Sequence, residues 1–201
     1  MASAKKTGAQ AYQLKVTLDG IAPPIWRRLL VTSDISLEKL HEVLQVAMGW
    51  TNSHLHQFTA GKTCYGMPDV ESPAAMEDER DYALSQVAKT KGSKFTYEYD
   101  FGDFWEHVIV VEDVRPSDGK TVHPQCLGGA RSCPPEDVGS TSGYEHFLEA
   151  IRDPKHPEHD ELLEWAGGHF DPEAFSVDEA NKELEDWRKH GLPMADKEEC
   201  I

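Results

Sequence analysis

Residues Phe95 to Val114, FTYEYDFGDFWEHVIVVEDV, contain two runs of alternating apolar and polar side chains on either side of Gly102-Asp103. Alternation with a period of two sends successive side chains to opposite faces, so the stretch predicts a β-hairpin. A hairpin commits its surroundings to antiparallel pairing and needs a second layer over its apolar face. With Gly102-Asp103 as a two-residue type II′ turn, Phe101 faces Phe104, Glu98 lies opposite His107, and Asp100 lies opposite Trp105. Glu98, Asp100, Trp105 and His107 then share a polar face beside Asp103 at the tip. Phe95, Tyr97, Tyr99, Phe101, Phe104, Val108 and Val110 form the core face. A slip of one residue would exchange the two faces.

The covering layer is predicted from the N-terminal third. AYQLKVTL alternates Tyr12, Leu14, Val16 and Leu18 as a half-buried strand, and Ile25 to Val31 resumes as a second strand after Pro23-Pro24. Leu37, Leu40, Val43, Leu44, Ala47 and Met48 recur at helical spacing behind Ser36 as N-cap and before Gly49 as stop. The apolar stripe of that helix is expected to bury Leu40 and Leu44 against Tyr97, Tyr99 and Val108. HLHQFTAG reads as a short strand, Pro68 to Arg80 as a surface loop, and Tyr82 to Ala88 as a short helix.

After the hairpin, RPSDGKTVHPQCLGGARSCPPEDVGST is rich in Gly and Pro and reads as a long loop. Ser142-Gly143-Tyr144-Glu145 fits a capping box that opens a helix with Tyr144, Phe147, Leu148 and Ile151 inward. A further helix spans about Glu158 to Ala166. Ser176-Val177-Asp178-Glu179 starts a charged last helix that runs to about His190, before Gly191 and Pro193. Strands first and helices last predict an α+β fold: one domain over 1–201, with its core at about 12–175 and the charged helix at 176–190. Its sheet is expected to be mainly antiparallel, with an N-terminal ββα unit, a central hairpin and C-terminal helices.

The composition excludes several classes of function. No apolar run approaches the roughly 18–20 residues of a bilayer span, and MASAKKTGAQ lacks a signal-peptide core, so a cytoplasmic protein without membrane contact is expected. Cys64, Cys126, Cys133 and Cys200 form no C-x-x-C pair, which argues for reduced thiols. A net charge of −16 repels phosphate backbones, so no autonomous nucleic-acid binding is expected. A small ligand, a basic protein partner or a divalent metal stays compatible with that charge. The sequence carries no G-x-S-x-G, Walker A, G-x-G-x-x-G or H-E-x-x-H motif.

Three segments hold the side chains that could carry chemistry. At the hairpin, a carboxylate beside an imidazole can orient it or join it on a divalent ion, which singles out Glu98, Asp100, Asp103, Trp105 and His107. His54-x-His56, if it lies on a strand, points two imidazoles the same way; in a turn it does not. Pro134-Pro135 present Glu136 and Asp137 stiffly, to bind a cation or to cap a turn. His123, Cys126 and Cys133 are too widely spaced for a usual zinc site. Two readings follow. One is a non-enzymatic binding or accessory module that uses the hairpin tip, the His54/His56 segment and the Cys126 to Asp137 loop. The other is a metal-dependent enzyme, such as a hydrolase, with His54, His56, Asp100 and His107 around one ion and Glu98 as general base.

The segments IAPPIWRRLLV, LEKLHEVLQVAMGWTNSHLHQF, YEYDFGDFWEHVIVVE and CLGGARSCPPEDVGSTSGYEHFLEAI, in this order, resemble the plasmid pRiA4b ORF-3-like family. The resemblance runs from about Tyr12 to Phe175 and implies a single α+β domain in an intracellular protein. Some members travel with mobile elements and carry a resolvase-like label. This acidic chain lacks the arginine cluster and basic surface that strand exchange needs. Where members often continue P-P-E-D with Cys-Gly-Gly, this chain has Val138-Gly139-Ser140, which weakens any cysteine–metal role.

Overall fold

Ser36 opens helix α1 (Leu37–Met48) by accepting a hydrogen bond from the Lys39 amide, and Gly49 closes it at φ 89°. A left-handed residue at that point is one that glycine adopts without Cβ strain. The computed structural model describes residues 10–68, 76–117 and 122–192. The buried face of α1 carries Leu37, Leu40, Val43 and Leu44 together with two polar side chains, His41 and Gln45.

This face lies on an eight-stranded sheet. Its strands are β1 (Gln10–Leu18), β2 (Trp26–Thr32), β3 (His56–Ala60), β4 (Thr63–Gly66), β5 (Glu77–Asp78), β6 (Lys94–Tyr99), β7 (Trp105–Pro116) and β8 (Gln125–Ala130). Their order is β5-β4-β3-β6-β7-β1-β2-β8. Every pairing is antiparallel except β4 with β5. The short helix α2 (Leu84–Val87) precedes β6, and α3 (Ser140–Arg152), α4 (His159–Trp165) and α5 (Val177–His190) complete the chain. Among the described residues no helix is long and apolar enough to cross a membrane. The α+β expectation, with a mainly antiparallel sheet, holds.

The hairpin register differs from the sequence expectation by one residue. Tyr99 pairs with Trp105, Glu98 with Glu106, and Tyr97 with His107, so residues 100–104 form the connection. Trp105, His107, Ile109 and Val111 therefore point into the core, where each is at most 1% exposed. Val108 and Val110 stand half-buried on the other face, so Val108 leaves the expected core group that Leu40, Leu44, Tyr97 and Tyr99 do form. Burial decides the register. It encloses an indole and two branched chains, at roughly 1.5–3 kcal/mol for each large side chain enclosed. A tight Gly-Asp turn offers nothing of that size.

Further differences lie downstream. The Gly-rich stretch expected as loop contains β8, which forms a sheet edge beside β2. The Asn181 side chain of α5 closes that edge, accepting from the Cys126 amide and donating to the Cys126 carbonyl at 2.8 Å each. Glycine at 129 admits this packing, since a Cβ there would stand 2.6 Å from the Phe175 ring. α3 begins at Ser140 behind Gly139 with no side-chain cap, so the Ser142 capping box does not form. The Ser176 cap of α5 does form, on the Glu179 amide. α5 packs on the domain through Ala180 and Leu184 and through a hydrogen bond from Trp187 Nε1 to Glu42 at 2.8 Å. Part of the expected 68–80 surface loop lies outside the described residues. Glu79 within it is buried rather than exposed. Cys64, Cys126 and Cys133 are free thiols, and Cys200 lies outside the described residues.

Candidate functional site

The chain leaving α1 turns through Trp50, Thr51, Asn52 and Ser53 to reach His54, one residue short of Leu55 and two short of β3. A closed ring of hydrogen bonds fixes this turn from below. Gln45 Nε2 donates to the Tyr97 hydroxyl at 2.9 Å, which lies 2.8 Å from His41 Nδ1. His41 Nε2 lies 2.7 Å from Asn52 Oδ1, and the Asn52 amide returns to Gln45 Oε1 at 2.9 Å. These partners are all satisfied if His41 is neutral with its proton on Nε2. Burial, then the neighbouring His56, lowers the His41 pKa to about 3. The ring holds Asn52 at φ 60°, a left-handed conformation that asparagine tolerates better than most residues.

The loop before α3 is tied onto the same turn. Trp50 Nε1 donates to the Pro134 carbonyl at 3.0 Å, and the Thr51 amide donates to Glu136 Oε1 at 3.1 Å. The Tyr99 hydroxyl donates to Glu136 Oε1 at 2.6 Å and accepts from the Ser53 amide at 2.9 Å. Burial, then the Glu136 bond, pushes the Tyr99 pKa upward, which keeps it a donor. Asp103 at the hairpin tip accepts from the Gly139 amide at 3.1 Å. Three segments remote in sequence, the 50–54 turn, the 100–104 connection and the 133–139 loop, therefore meet at the end of β6.

His54, Asp100 and Asp137 converge at that junction. His54 Nε2 lies 3.1 Å from Asp137 Oδ1 and 3.7 Å from Asp100 Oδ2, and the three donor atoms all lie within 4.8 Å of one another. Asp100 is 7% exposed; its Oδ1 accepts from the Gly102 amide at 2.8 Å, which turns Oδ2 toward His54. The Asp137 side chain is 70% exposed and opens the group to solvent. Both aspartates sit at positive φ, 61° and 60°. His54 Nε2 is sheltered from solvent, and no hydrogen bond of sound geometry reaches it from the described residues. Donor atoms about 2.1 Å from one ion stand roughly 3.0–3.5 Å apart, so this spacing suits a divalent cation with little adjustment.

Other residues expected at the site lie elsewhere. His56 points into the core, where its Nε2 is 2.8 Å from Glu79 Oε2 and its ring stacks on His41 at 3.4 Å. His107 is fully buried, with Nδ1 3.2 Å from the Tyr97 carbonyl and the Trp50 ring edge-on at 5.2 Å. Burial lowers its pKa to about 4. Trp105 is likewise buried, and its Nε1, like His107 Nε2, has no hydrogen-bond partner among the described residues. Glu98 pairs with Glu106 on the outer face, and burial followed by that neighbouring charge raises its pKa. The one-residue register shift turns His107 and Trp105 into the core, away from Glu98, and Asp100, at φ 61° beyond the end of β6, leaves the strand's alternation and so parts from Glu98. Cys133 lies 3.4 Å from Arg27 in the core, and burial pushes its pKa to about 11. Cys126 and Cys133 join neither cation-competent group among the described residues. Tyr99 as the common tie and His41 and Asn52 as supports carry no local signal. Only the fold brings them to the site.

The family model described as plasmid pRiA4b ORF-3-like protein matches residues 10–179. A relative from Sinorhizobium fredii (strain NBRC 101917 / NGR234), named Uncharacterized protein y4hQ, is 45% identical over 180 residues, covering 89% of this chain and 92% of its own. The crystal structure of a protein of unknown function, MM3350 from Methanosarcina mazei Go1, is similar with a TM-score of 0.76 and 32% identity. It covers 85% of this chain and 97% of its own.

Proposed function

The chain belongs to the plasmid pRiA4b ORF-3-like protein family, and from that premise we propose that it is a divalent-cation-binding module with His54, Asp100 and Asp137 as its protein ligands. The observation that carries this reading is the sheltered His54 Nε2 facing two carboxylate oxygens at 3.1 and 3.7 Å without a hydrogen bond. Two converging carboxylates repel each other, and a cation between them relieves that cost. One imidazole and two carboxylates make a hard to borderline donor set, suited to Mn²⁺, Mg²⁺ or Zn²⁺ rather than to thiophilic ions.

Three protein ligands leave positions open on the ion, and the exposed Asp137 puts them toward solvent. An external ligand or partner group can complete the shell there. The same openness supports a second reading, a metal-dependent hydrolase in which the ion polarises water. A general base is the weak point of that reading: Glu98 is on the outer face, and the Glu136 carboxylate is committed to Tyr99 and Thr51. Binding, rather than turnover, is therefore the reading we favour.

Titration of the metal-free chain with Mn²⁺, followed by calorimetry, tests the proposal. One ion per chain is expected. Asp100→Asn and Asp137→Asn, which asparagine suits at positive φ, should each weaken binding about tenfold or more. Variants that bind Mn²⁺ as the parent does would overturn the assignment.

A further inference from the structure

A second group of donors lies away from this junction, where α3 passes the turn into α4. One donor atom from each of His146, His156 and Glu158 lies within 4.8 Å of the others. His146, on α3, places Nε2 at 2.9 Å from Glu158 Oε2, and the His156 ring stands edge-on to the His146 ring at 5.5 Å. We propose that this turn is a second metal site, for a borderline transition-metal ion such as Ni²⁺ or Zn²⁺, held by His146, His156 and Glu158.

The turn is built to hold its shape. Pro154 and Pro157 flank it, the His156 amide donates to the Asp153 carbonyl at 2.8 Å, and the Lys155 amide donates to Asp153 Oδ1 at 3.0 Å. Two ligands thus come from a constrained turn and one from a regular helix, which limits the freedom lost when an ion binds. An ion pair between His146 and Glu158 accounts for two of the three side chains. The Glu158 amide orients the third, His156, through its Nδ1, and a shared ion would join all three donor atoms. The cost is one bond: the Glu158 amide donates to His156 Nδ1 at 3.2 Å, and ligation through either ring nitrogen gives this up. At an exposed turn water can replace that donor's partner.

The donor chemistry separates the two sites. Two imidazoles and one carboxylate form a softer set than one imidazole and two carboxylates, so Ni²⁺ should prefer the α3–α4 turn and Mn²⁺ the junction at His54. The site stands on its own geometry and does not depend on the proposed function.

The experiment is a Ni²⁺ titration of the full-length chain carrying His54→Ala, which removes the first site. That variant should bind one Ni²⁺ per chain. Adding His156→Ala or Glu158→Gln should weaken binding about tenfold or more, with the circular dichroism and melting temperature unchanged. Glu158→Gln keeps the size of the side chain and the amide of the turn, so it reports on ligation if His156→Ala disturbs the local fold. Absence of Ni²⁺ binding in the His54→Ala chain would overturn the proposal. So would double variants that titrate like that chain, because the ion would then sit on other exposed imidazoles.

Discussion

His54 Nε2 stands 3.1 Å from Asp137 Oδ1, although one residue follows α1 and the other precedes α3. Nothing in the local sequence of either segment brings them together. The contact depends on the ties that fasten the 133–139 loop to the turn below α1, above all Trp50 to Pro134 and Tyr99 to Glu136. The proposed cation site is in this sense a product of the tertiary fold, and its strength should follow those ties.

Tyr99→Phe tests that dependence without touching a ligand. The hydroxyl receives the Ser53 amide and donates to Glu136, so its loss removes two part-buried hydrogen bonds and should cost about 1 kcal/mol of stability. Mn²⁺ affinity should fall with it, by roughly 10–100-fold, as for other groups that orient metal ligands. Unchanged affinity in calorimetry would show that the ligands are placed independently of Glu136.

Gly143→Ala should disturb the same loop from the other side. A Cβ at this position would meet the Val138 carbonyl oxygen at 2.0 Å, directly after Asp137. Overpacking of this kind costs about 1–3 kcal/mol. Chemical denaturation should show that loss, and the Mn²⁺ titration should weaken because Asp137 moves with its neighbour. A variant as stable as the parent, with equal affinity, would contradict the packing described.

Stability should decline in mild acid. Burial keeps His41 and His107 neutral in the folded chain, with pKa values lowered to about 3 and about 4 from 6.5. Below pH 6.5 the unfolded chain takes up protons that the folded chain refuses, so stability is fully present above that pH and is lost as pH falls toward 4. Each histidine contributes at most about 1.4 kcal/mol per pH unit. Burial dominates at His107: the Tyr97 carbonyl hydrogen bond raises its pKa only in part, and the Arg27 charge lowers it further beside the Trp50 ring. Urea midpoints at pH 7.5 and pH 5 check the sign, and His107→Phe should flatten the dependence. A midpoint that rises in acid would contradict it.

Duplex DNA should bind only weakly and without sequence selectivity at physiological salt. The net charge of −16 gives no counterion-release gain. Sub-micromolar, sequence-selective binding by the isolated chain in a fluorescence anisotropy titration would overturn this expectation.

The sequence revealed much of the architecture through periodicity. The Leu37–Met48 stripe, the Ser36 and Gly49 caps and the alternation of β1 are local signals, and the structure follows them. The hairpin was legible as a hairpin but not in its register, because only the rest of the core decides whether Trp105 or Val108 is enclosed. β8 was hidden because Gly128 and Gly129 carry no strand preference, and the role of Gly129 is to let the Phe175 ring approach. The site was legible by segment: the hairpin tip, the His54 turn and the loop through Asp137 do meet. Of the individual residues, His54 and Asp100 were named around an ion and Asp137 as a cation-binding or turn-capping carboxylate, whereas His56 and His107, named beside them, lie in the core. His56 and His107 alternate onto the core face, a consequence of a register that no local pattern specifies.

Anomalous diffraction from a crystal of the full-length chain grown with Mn²⁺ tests whether one cation is shared by His54, Asp100 and Asp137. One strong peak is expected about 2.1–2.3 Å from His54 Nε2, Asp100 Oδ2 and Asp137 Oδ1 together, with the remaining positions facing solvent. A well-ordered junction with no peak there, or a peak touching Asp137 alone, would contradict it.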